Sequence, residues 1–197
     1  QESIINNLIL LGWAPTQTNE IIGLDEIIDQ FDINKISKSS SIFSYDKLNY
    51  FNNYYLKKDE KFIKLINFCT NNFILKDYLD SDEEKMKRIF SVHKNKINFY
   101  SALLEICPIY FNENYKITDS NFDVEFKELV KDFNNIIEKL NNWEVESLEI
   151  IIKEFINNKK IKFVKFGKPA RILLINKENG PSISDILYIL GKKNSLK

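Results

Sequence analysis

Hydrophobic residues recur along most of the chain at intervals of three or four positions, which is the repeat of an amphipathic α-helix. In the first 57 residues this spacing predicts helices around residues 4–11 and 24–31, and a third that starts at Ser44. The polar, serine-rich segment 35–41 is expected to be a loop. The first helix begins without room for a capping residue, which favours a piece of a longer chain. Its apolar stripe comprises Ile4, Ile5, Leu8 and Leu11.

The same spacing continues through the middle of the chain and beyond it. Between residues 57 and 111 it predicts three further helices, with breaks near residues 71–72, 80–81 and 94–95. A longer apolar stripe then starts at Phe122 and indicates a helix of several turns. Another helix is expected after Trp143. The long stripe comprises Phe122, Phe126, Leu129, Val130, Phe133, Ile137 and Leu140.

The last 40 residues contain one ambiguous segment and one well-marked helix. Residues 159–175 are rich in β-branched side chains around a glycine and a proline, which favours short extended segments. The final helix follows Pro181, and Ser182 with Asp185 forms an S-x-x-D sequence typical of a helix N-cap. Gly191 stands where a glycine commonly ends a helix. The chain is therefore predicted to be overwhelmingly helical.

Composition limits the possible functions without selecting one. Hydrophobic residues make up 44% of the chain, so it can bury a core, and 5 glycines and 4 prolines are too few for a fold with many tight β-turns. The formal net charge is zero, so binding of a polyanion would need a local basic surface. No apolar run approaches the length of a membrane span. Cys69 and Cys107 lie in apolar runs and are expected to be buried, reduced thiols.

No group of residues with catalytic spacing is present in the sequence. The single histidine, His93, lies in a charged stretch and is expected to be solvated. Neither a metal-binding motif nor a glycine-rich phosphate loop occurs. Acidic residues such as those at 82–84 fit helix starts, where carboxylates interact favourably with the helix dipole. Catalytic residues, a metal site and a bound cofactor are therefore not expected in this chain.

Two separate blocks of sequence carry a resemblance to a known family. Residues 4–15 read I-I-N-N-L-I-L-L-G-W-A-P and resemble bacterial glutamyl-tRNA synthetases just after their catalytic domain. The block from 35 to 55 begins K-I-S-K-S and is similar to part of their stem-contact domain, with Tyr50 where the family usually has tryptophan. Alone, K-I-S-K-S also looks like the K-M-S-K-S loop that holds ATP phosphates in class I synthetases. Such a loop requires a preceding nucleotide-binding sheet, which this chain does not offer.

The second block lies near the other end of the chain. Trp143, then K-F-G-K-P-A-R at 165–171, then residues 180–191 resemble the ending of the same family. On two blocks in the right order, the chain is identified as a member of the glutamyl-tRNA synthetase family. The resemblance implies an all-α fold, with an α-helical cage that binds the anticodon and a partial stem-contact domain before it. The implied domains are 1–56 for stem contact, and 57–118 and 119–197 for two anticodon-binding helical subdomains.

The resemblance also implies a division of labour within a larger enzyme. The parent would be a glutamate–tRNA ligase that uses ATP and Mg²⁺ in a catalytic domain upstream of Gln1. This chain would supply recognition of tRNA for glutamate, with tRNA for glutamine as an open second partner. The missing catalytic domain of the same polypeptide would be its protein partner. A monomer in the bacterial cytoplasm, with no membrane association, is expected.

The resemblance places the expected anticodon contacts on a few positions. Arg171 matches the family's anticodon arginine, although an exposed salt bridge would also explain an arginine there. Gly180 and Pro181 match a loop near the middle base, where the family usually carries threonine in place of Gly180. Ile183 could pack on the first base, although an apolar helix residue is more often core. Lys96 stands where glutamate-specific members carry an arginine that contacts the third base.

Contacts to the tRNA backbone are expected from lysines. Lys35, Lys38 and Lys47 would touch phosphates at the inner bend of the tRNA, although a solvated polar loop explains them equally well. Lys165 is a further candidate. The alternative function is a stand-alone helical interaction module without RNA binding, which the zero net charge favours. Ligase activity by this chain alone is excluded by the missing nucleotide-binding fold.

Overall fold

All helices and loops below come from a computed structural model that describes residues 1–15, 20–112, 115 and 122–196. Within these ranges every regular element is a helix, so the predicted all-α fold is confirmed. The chain forms two compact units, made of residues 1–68 with 94–102, and of residues 69–93 with 103–197. The predicted domain boundaries at 56/57 and 118/119 remain predictions, and the second lies outside the described residues.

The first unit contains the first three helices and most of the fourth. The three helices predicted before residue 57 are confirmed, and Ser44 caps the third by accepting a hydrogen bond from the Lys47 backbone N–H at 3.2 Å. The loop at 35–41 is also confirmed, apart from a short 3₁₀ turn at its start. The elements are α1 (Glu2–Gly12), α2 (Leu24–Gln30), α3 (Tyr45–Lys57) and α4 (Ile63–Thr70), with 3₁₀ turns at Ile33–Lys35 and Tyr100–Ala102.

The second unit carries the remaining helices. The segment 57–111 forms four helices where three were predicted, and the predicted breaks near residues 71–72, 80–81 and 94–95 each lie at or beside a helix end. The helix Ile183–Leu190, which the sequence predicted as the last one, ends at Gly191, whose φ of 76° lies in the region that favours glycine. The elements are α5 (Phe73–Ser81), α6 (Glu83–His93), α7 (Leu103–Phe111), α8 (Val124–Ile137), α9 (Val145–Lys159), α10 (Phe163–Ile175), α11 (Ile183–Leu190) and α12 (Lys192–Ser195).

Helix α1 buries its polar face. Asn6 is 1% exposed, and its amide pairs with both backbone groups of Ile22, donating to the carbonyl at 2.7 Å and accepting from the N–H at 3.2 Å. Ile4 and Leu8, from the apolar stripe, are each 53% exposed. The asparagine thus replaces a missing backbone partner and fixes the loop at 20–23 against α1.

The core of the second unit is built around three phenylalanines. Phe133 on α8, Phe155 on α9 and Phe166 on α10 lie with ring centres 5.1 to 5.2 Å apart, in the tilted and edge-on arrangements that aromatic rings prefer. Trp143 anchors α11 to this core, since its indole N–H donates to the Leu187 carbonyl at 3.1 Å. The aromatic core therefore fixes α10 and α11, which carry the candidate site.

The prediction of extended segments at 159–175 is wrong, because residues 163–175 form α10. Phe166, Ala170 and Leu174 follow each other at intervals of four, and in a helix this spacing places all three on the core side. Pro169 removes one backbone hydrogen bond but does not stop the helix. Burial of this face therefore outweighs the local preference of the β-branched residues.

The cysteines behave as predicted. Cys69 and Cys107 are free and 0% exposed, and burial raises the pKa of the Cys69 thiol to about 11. At that pKa the Cys69 thiol stays protonated and unreactive near neutral pH. No helix in the described ranges is long and apolar enough to cross a membrane.

Candidate functional site

The turn between α10 and α11, with Arg171 bonded to it, gathers four of the five residues expected to bind the anticodon. Helix α10 ends at Asn176, which adopts a left-handed conformation with φ 56°, and the chain then returns to start α11 after Ser182. Gly180 and Pro181 lie directly before that start. Gly180 is half-buried and Pro181 is buried, so only part of this backbone segment, beside the N-terminus of α11, is open to solvent.

Arg171 holds this turn in place. Its Nε–H donates to the Pro181 carbonyl at 2.9 Å, and its Nη1 lies 3.4 Å from the Gly167 carbonyl. The guanidinium carbon is 5.8 Å from the centre of the Phe163 ring. Arg171 is half-buried, and the two bonds occupy only part of its five-donor fork. The remaining N–H groups can serve a ligand.

Gly167 lets the Phe163 ring lie close to α10. A Cβ at this position would come within 2.5 Å of Phe163 Cε1, so any larger residue would push the ring away. The ring therefore lies beside both Gly167 and Arg171. This packing gives a physical reason for the glycine in the K-F-G-K-P-A-R block.

The N-terminus of α11 is capped and still has free donors. Ser182 Oγ accepts from the Asp185 backbone N–H at 3.0 Å and donates to the Asp185 carboxylate at 2.5 Å, which confirms the predicted cap. Among the described residues, the backbone N–H groups of Ile183 and Ser184 have no hydrogen-bond acceptor. A capped helix start with unused N–H groups is suited to anions and to base edges.

Ile183 does not take the role expected from the sequence. Its side chain is 3% exposed and belongs to the core of the second unit, so almost no surface remains for a base to pack on. Ile183 faces the core because it occupies the first turn of α11, together with Leu187 one turn later. We therefore withdraw the expected base contact and assign Ile183 to packing.

The lysines of α10 are largely neutralised. Lys165 Nζ lies 2.5 Å from a carboxylate oxygen of Glu125, and Lys168 Nζ lies 2.7 Å from one of Glu178. The hydrogen bond from Lys168 lowers the pKa of the Glu178 carboxyl. Both pairs are exposed, so each contributes little to stability and can be opened by a competing phosphate. Of the cations on α10, Arg171 is therefore the one that no carboxylate pairs with in the described residues.

Lys96, the candidate for the third base, lies in the first unit and is exposed. Asn53 on α3 fixes its backbone, because the Asn53 amide donates to the carbonyls of Lys94 at 3.2 Å and Ile97 at 2.8 Å. The Lys96 side chain is thus presented from an anchored segment. The contact of Lys96 with a base stays a prediction.

The three lysines of the first unit that were expected to contact phosphates differ in exposure and in ion pairing. Lys35 and Lys38 are exposed and form no ion pair within the described part of the chain, whereas Lys47 is half-buried and pairs with Glu20 at 2.8 Å. The K-I-S-K-S segment is fixed by backbone contacts, including a bond from the Ser37 N–H to the Gly12 carbonyl at 2.6 Å. Lys35 and Lys38 are therefore the more available cations.

The prediction of a solvated His93 is wrong. The imidazole is 6% exposed, and its Nε2 shares a hydrogen bond of 3.0 Å with the Tyr110 hydroxyl. Burial, with a smaller contribution from the positive charge of Lys177, lowers the pKa of His93 to about 4. The imidazole is therefore neutral at physiological pH and serves the core rather than a surface.

A cavity of about 420 Å³ lies in the second unit but does not include the turn. Its walls are mainly apolar and include Tyr110, Phe133 and Leu187. Arg171, Gly180 and Pro181 are not among its lining residues. In the described ranges no three histidine, cysteine or acidic side chains are grouped to hold a metal. The candidate site is therefore an open surface and not an enclosed pocket.

Comparison with known proteins gives a consistent result. Residues 55–197 match the family described as Anticodon binding domain. The chain is 30% identical to Glutamate--tRNA ligase 1 of Caldicellulosiruptor saccharolyticus and 30% identical to Glutamate--tRNA ligase of Mycoplasma capricolum, over 100% and 99% of its own length. These alignments cover 42% and 41% of the two relatives. The chain thus spans about two-fifths of the length of the relatives it matches.

The fold comparison agrees. A crystal structure of a glutamate tRNA ligase from Elizabethkingia meningosepticum, in complex with its amino acid, superposes with a TM-score of 0.82 at 24% identity. That match covers 99% of this chain and 39% of the other. The glutamate-tRNA synthetase of Elizabethkingia anophelis gives a TM-score of 0.76 at 25% identity, with the same coverage. Both similarities extend through nearly the whole chain.

Proposed function

This chain belongs to the anticodon binding domain family, and on that premise we propose that it is the tRNA-binding part of a glutamate–tRNA ligase. The parent would join glutamate to tRNA with ATP and Mg²⁺, using residues outside this chain. The relatives that it matches over its full length carry that name, which supports the proposal. The chain itself would supply recognition of the tRNA and no catalytic group.

The observation that carries the proposal is the hydrogen bond from Arg171 to the turn before α11. An arginine bonded to the Pro181 carbonyl at 2.9 Å fixes the backbone of Gly180 and Pro181 against a helix start with unused N–H groups. Single-stranded bases are recognised through their edges and faces by such rigid polar groups. The turn therefore offers a preformed surface for an unstacked anticodon base.

Three groups at the turn, namely the Arg171 guanidinium, the Gly180 backbone and the free N–H groups at the start of α11, would make different contacts with the RNA. The open part of the Arg171 fork would bond one base edge or stack on its face, since a guanidinium is planar and keeps its charge. Gly180 has no side chain to offer, so its contact would be made by the backbone. The free N–H groups of Ile183 and Ser184 would donate hydrogen bonds to a phosphate or to a base oxygen.

Lys96 would contact the third anticodon base from its anchored segment. A lysine keeps the positive charge of the family's arginine but cannot form the same two-pronged hydrogen bonds. Weak discrimination between tRNA for glutamate and tRNA for glutamine is therefore part of the proposal. Lys35, Lys38, Lys47 and Lys165 would add contacts to the backbone, and the protein would act as a monomer in the cytoplasm.

The proposal is tested with three RNA hairpins: the anticodon arm of tRNA for glutamate, that of tRNA for glutamine, and the same stem with an unrelated loop. Affinities are measured for the wild type, Arg171→Lys and Arg171→Gln. The matched control is Lys153→Gln on α9, which removes an exposed cation paired with Glu149 at 2.7 Å. Free energies of unfolding are measured for each variant, so that misfolding is recognised.

The wild type should prefer the glutamate arm over the unrelated loop by at least about tenfold, or ~1.4 kcal/mol. Arg171→Gln should lose most of this preference, and Arg171→Lys should lose part of it, because charge alone does not replace the fork. Lys153→Gln should retain it. The two cognate arms should differ by less than about tenfold. Equal preference in wild type and a well-folded Arg171→Gln would contradict the proposed role of the turn.

A further inference from the structure

The chain contains two arginines, and both contact α11 or the turn that precedes it. Arg171 bonds the Pro181 carbonyl, as described above. Arg88, on α6, reaches Tyr188 on α11. All other side chains with a permanent positive charge are lysines. Only Arg171 could be recognised from the sequence, because no sequence pattern links Arg88 to a residue 100 positions away.

Tyr188 orients the Arg88 side chain. The guanidinium carbon lies 4.7 Å from the centre of the Tyr188 ring, and Arg88 Nη1 donates a hydrogen bond to the Tyr188 hydroxyl. Tyr188 is half-buried and packs against the core of the second unit, so it is itself held firmly. Arg88 nevertheless remains exposed. An exposed guanidinium that is already oriented loses less conformational entropy when it binds a ligand.

The nearby carboxylates are engaged elsewhere. Glu83 and Glu84, on the same helix as Arg88, both pair with Lys87, at 2.7 and 2.9 Å. Asp185, one turn before Tyr188, accepts its bond from Ser182. Within the described residues Arg88 forms no salt bridge, and its hydrogen bond to the Tyr188 hydroxyl uses one of five donors. The remaining donors point to an anionic ligand that lies outside the chain.

A second cation lies in the same unit near α6. The positive charge of Lys177, in the turn before α11, reaches His93 at the end of α6. Lys177 is exposed and forms no ion pair within the described residues. Helices α6 and α11 pack against each other, so Arg88 and Lys177 both lie near this pair of helices. A strand of RNA bound at the α11 N-terminus would therefore continue past unpaired positive charge.

We propose that Arg88, held by Tyr188, binds a backbone phosphate of the RNA whose bases are recognised at the turn before α11. The inference rests on the proposed function and adds a residue that it does not include. A guanidinium binds phosphate through two parallel N–H bonds, which positions the strand without reading its sequence. Arg88 would thus set the register of the strand, and Arg171 would contact a base.

The test is the salt dependence of binding to the glutamate anticodon arm. The logarithm of the association constant falls linearly with the logarithm of salt concentration, with a slope of roughly 0.7 to 0.9 for each phosphate contact. Arg88→Gln should reduce this slope by roughly 0.7 to 0.9 and weaken binding equally for cognate and unrelated loops. Arg88→Lys should retain the slope, because the charge remains. Lys153→Gln, outside α6, α10 and α11, is the control and should bind as the wild type does.

Three outcomes overturn the inference and can be told apart. If Arg88→Gln weakens binding without changing the slope, Arg88 acts only through packing on Tyr188. If Arg88→Gln equals the wild type while Arg171→Gln loses loop preference, Arg88 has no contact with RNA and the proposed function stands. Failure of the wild type to bind the anticodon arm would overturn the proposed function, and this inference with it. Unfolding free energies of the Arg88 variants confirm that each is folded.

Discussion

His93 shows how a single residue can be misjudged when only its neighbours in sequence are considered. Charged residues surround it in the chain, yet its position on α6 turns the imidazole inward to Tyr110. Burial is the main cause of its lowered pKa of about 4. An imidazole in the unfolded chain has a pKa of about 6.5. The stability of the folded protein should therefore depend on pH through the buried His93 imidazole.

This coupling predicts a loss of stability in mild acid. Between about pH 6.5 and pH 4 the unfolded chain binds a proton at His93 that the folded chain does not, so unfolding is favoured as the pH falls. Above that window the imidazole is neutral in both states and makes no difference. At pH 5 the penalty should be about 2 kcal/mol. The free energy of unfolding should fall less from pH 7.5 to pH 5 in His93→Gln than in the wild type, by about this amount.

Urea denaturation at the two pH values, with both proteins, measures this difference. The comparison removes the contribution of carboxylates, which is shared by the wild type and the variant. If both proteins lose the same free energy between the two pH values, the imidazole is not kept neutral by burial.

The helices could be predicted from sequence to very different degrees. Helix α11 was predicted with both ends, because Ser182 and Gly191 are local signals that need no knowledge of the fold. Helix α10 was missed, because Pro169 and the β-branched residues favour other structures locally and only burial of Phe166 reverses that preference. The turn was found from family resemblance, whereas Arg88 depends on a tertiary contact that spacing cannot reveal.

Helix α1 is the element whose orientation spacing alone would reverse. The stripe that contains Ile4 and Leu8 would normally be taken as the buried face, but the structure buries Asn6 and leaves these two residues more than half exposed, while Ile5 is partly buried. The reason is that the Asn6 amide satisfies the Ile22 backbone, which no apolar residue can do.

This reversal predicts an unusual order of mutational effects on the present chain. The double variant Ile4→Ser, Leu8→Ser should change the free energy of unfolding by less than about 1 kcal/mol, as substitutions at exposed positions usually do. Asn6→Leu should cost about 2 kcal/mol or more, because it leaves a buried N–H and a buried carbonyl unpaired. Urea denaturation of the three proteins gives the ranking. A larger loss in the double variant than in Asn6→Leu would show that the apolar stripe is the buried face after all.

At the scale of the whole molecule, the neutral net charge requires that any recognition of RNA be local. Lys165 and Lys168 are paired with carboxylates, so they add little free positive charge beside the turn. The family resemblance predicted from two sequence blocks is confirmed by matches along the full chain. The proposed recognition of the anticodon therefore depends on one small surface, the turn before α11.

Amide hydrogen exchange of this chain, with and without the glutamate anticodon arm, tests that dependence most directly. We expect slower exchange at the backbone amides of residues 180 and 182–186 when the cognate arm is bound, because those N–H groups would be covered or bonded by the RNA. The same stem with an unrelated loop should give little protection there. Protection that is equal for both loops, or that leaves these amides unchanged while the RNA is bound, would contradict the account.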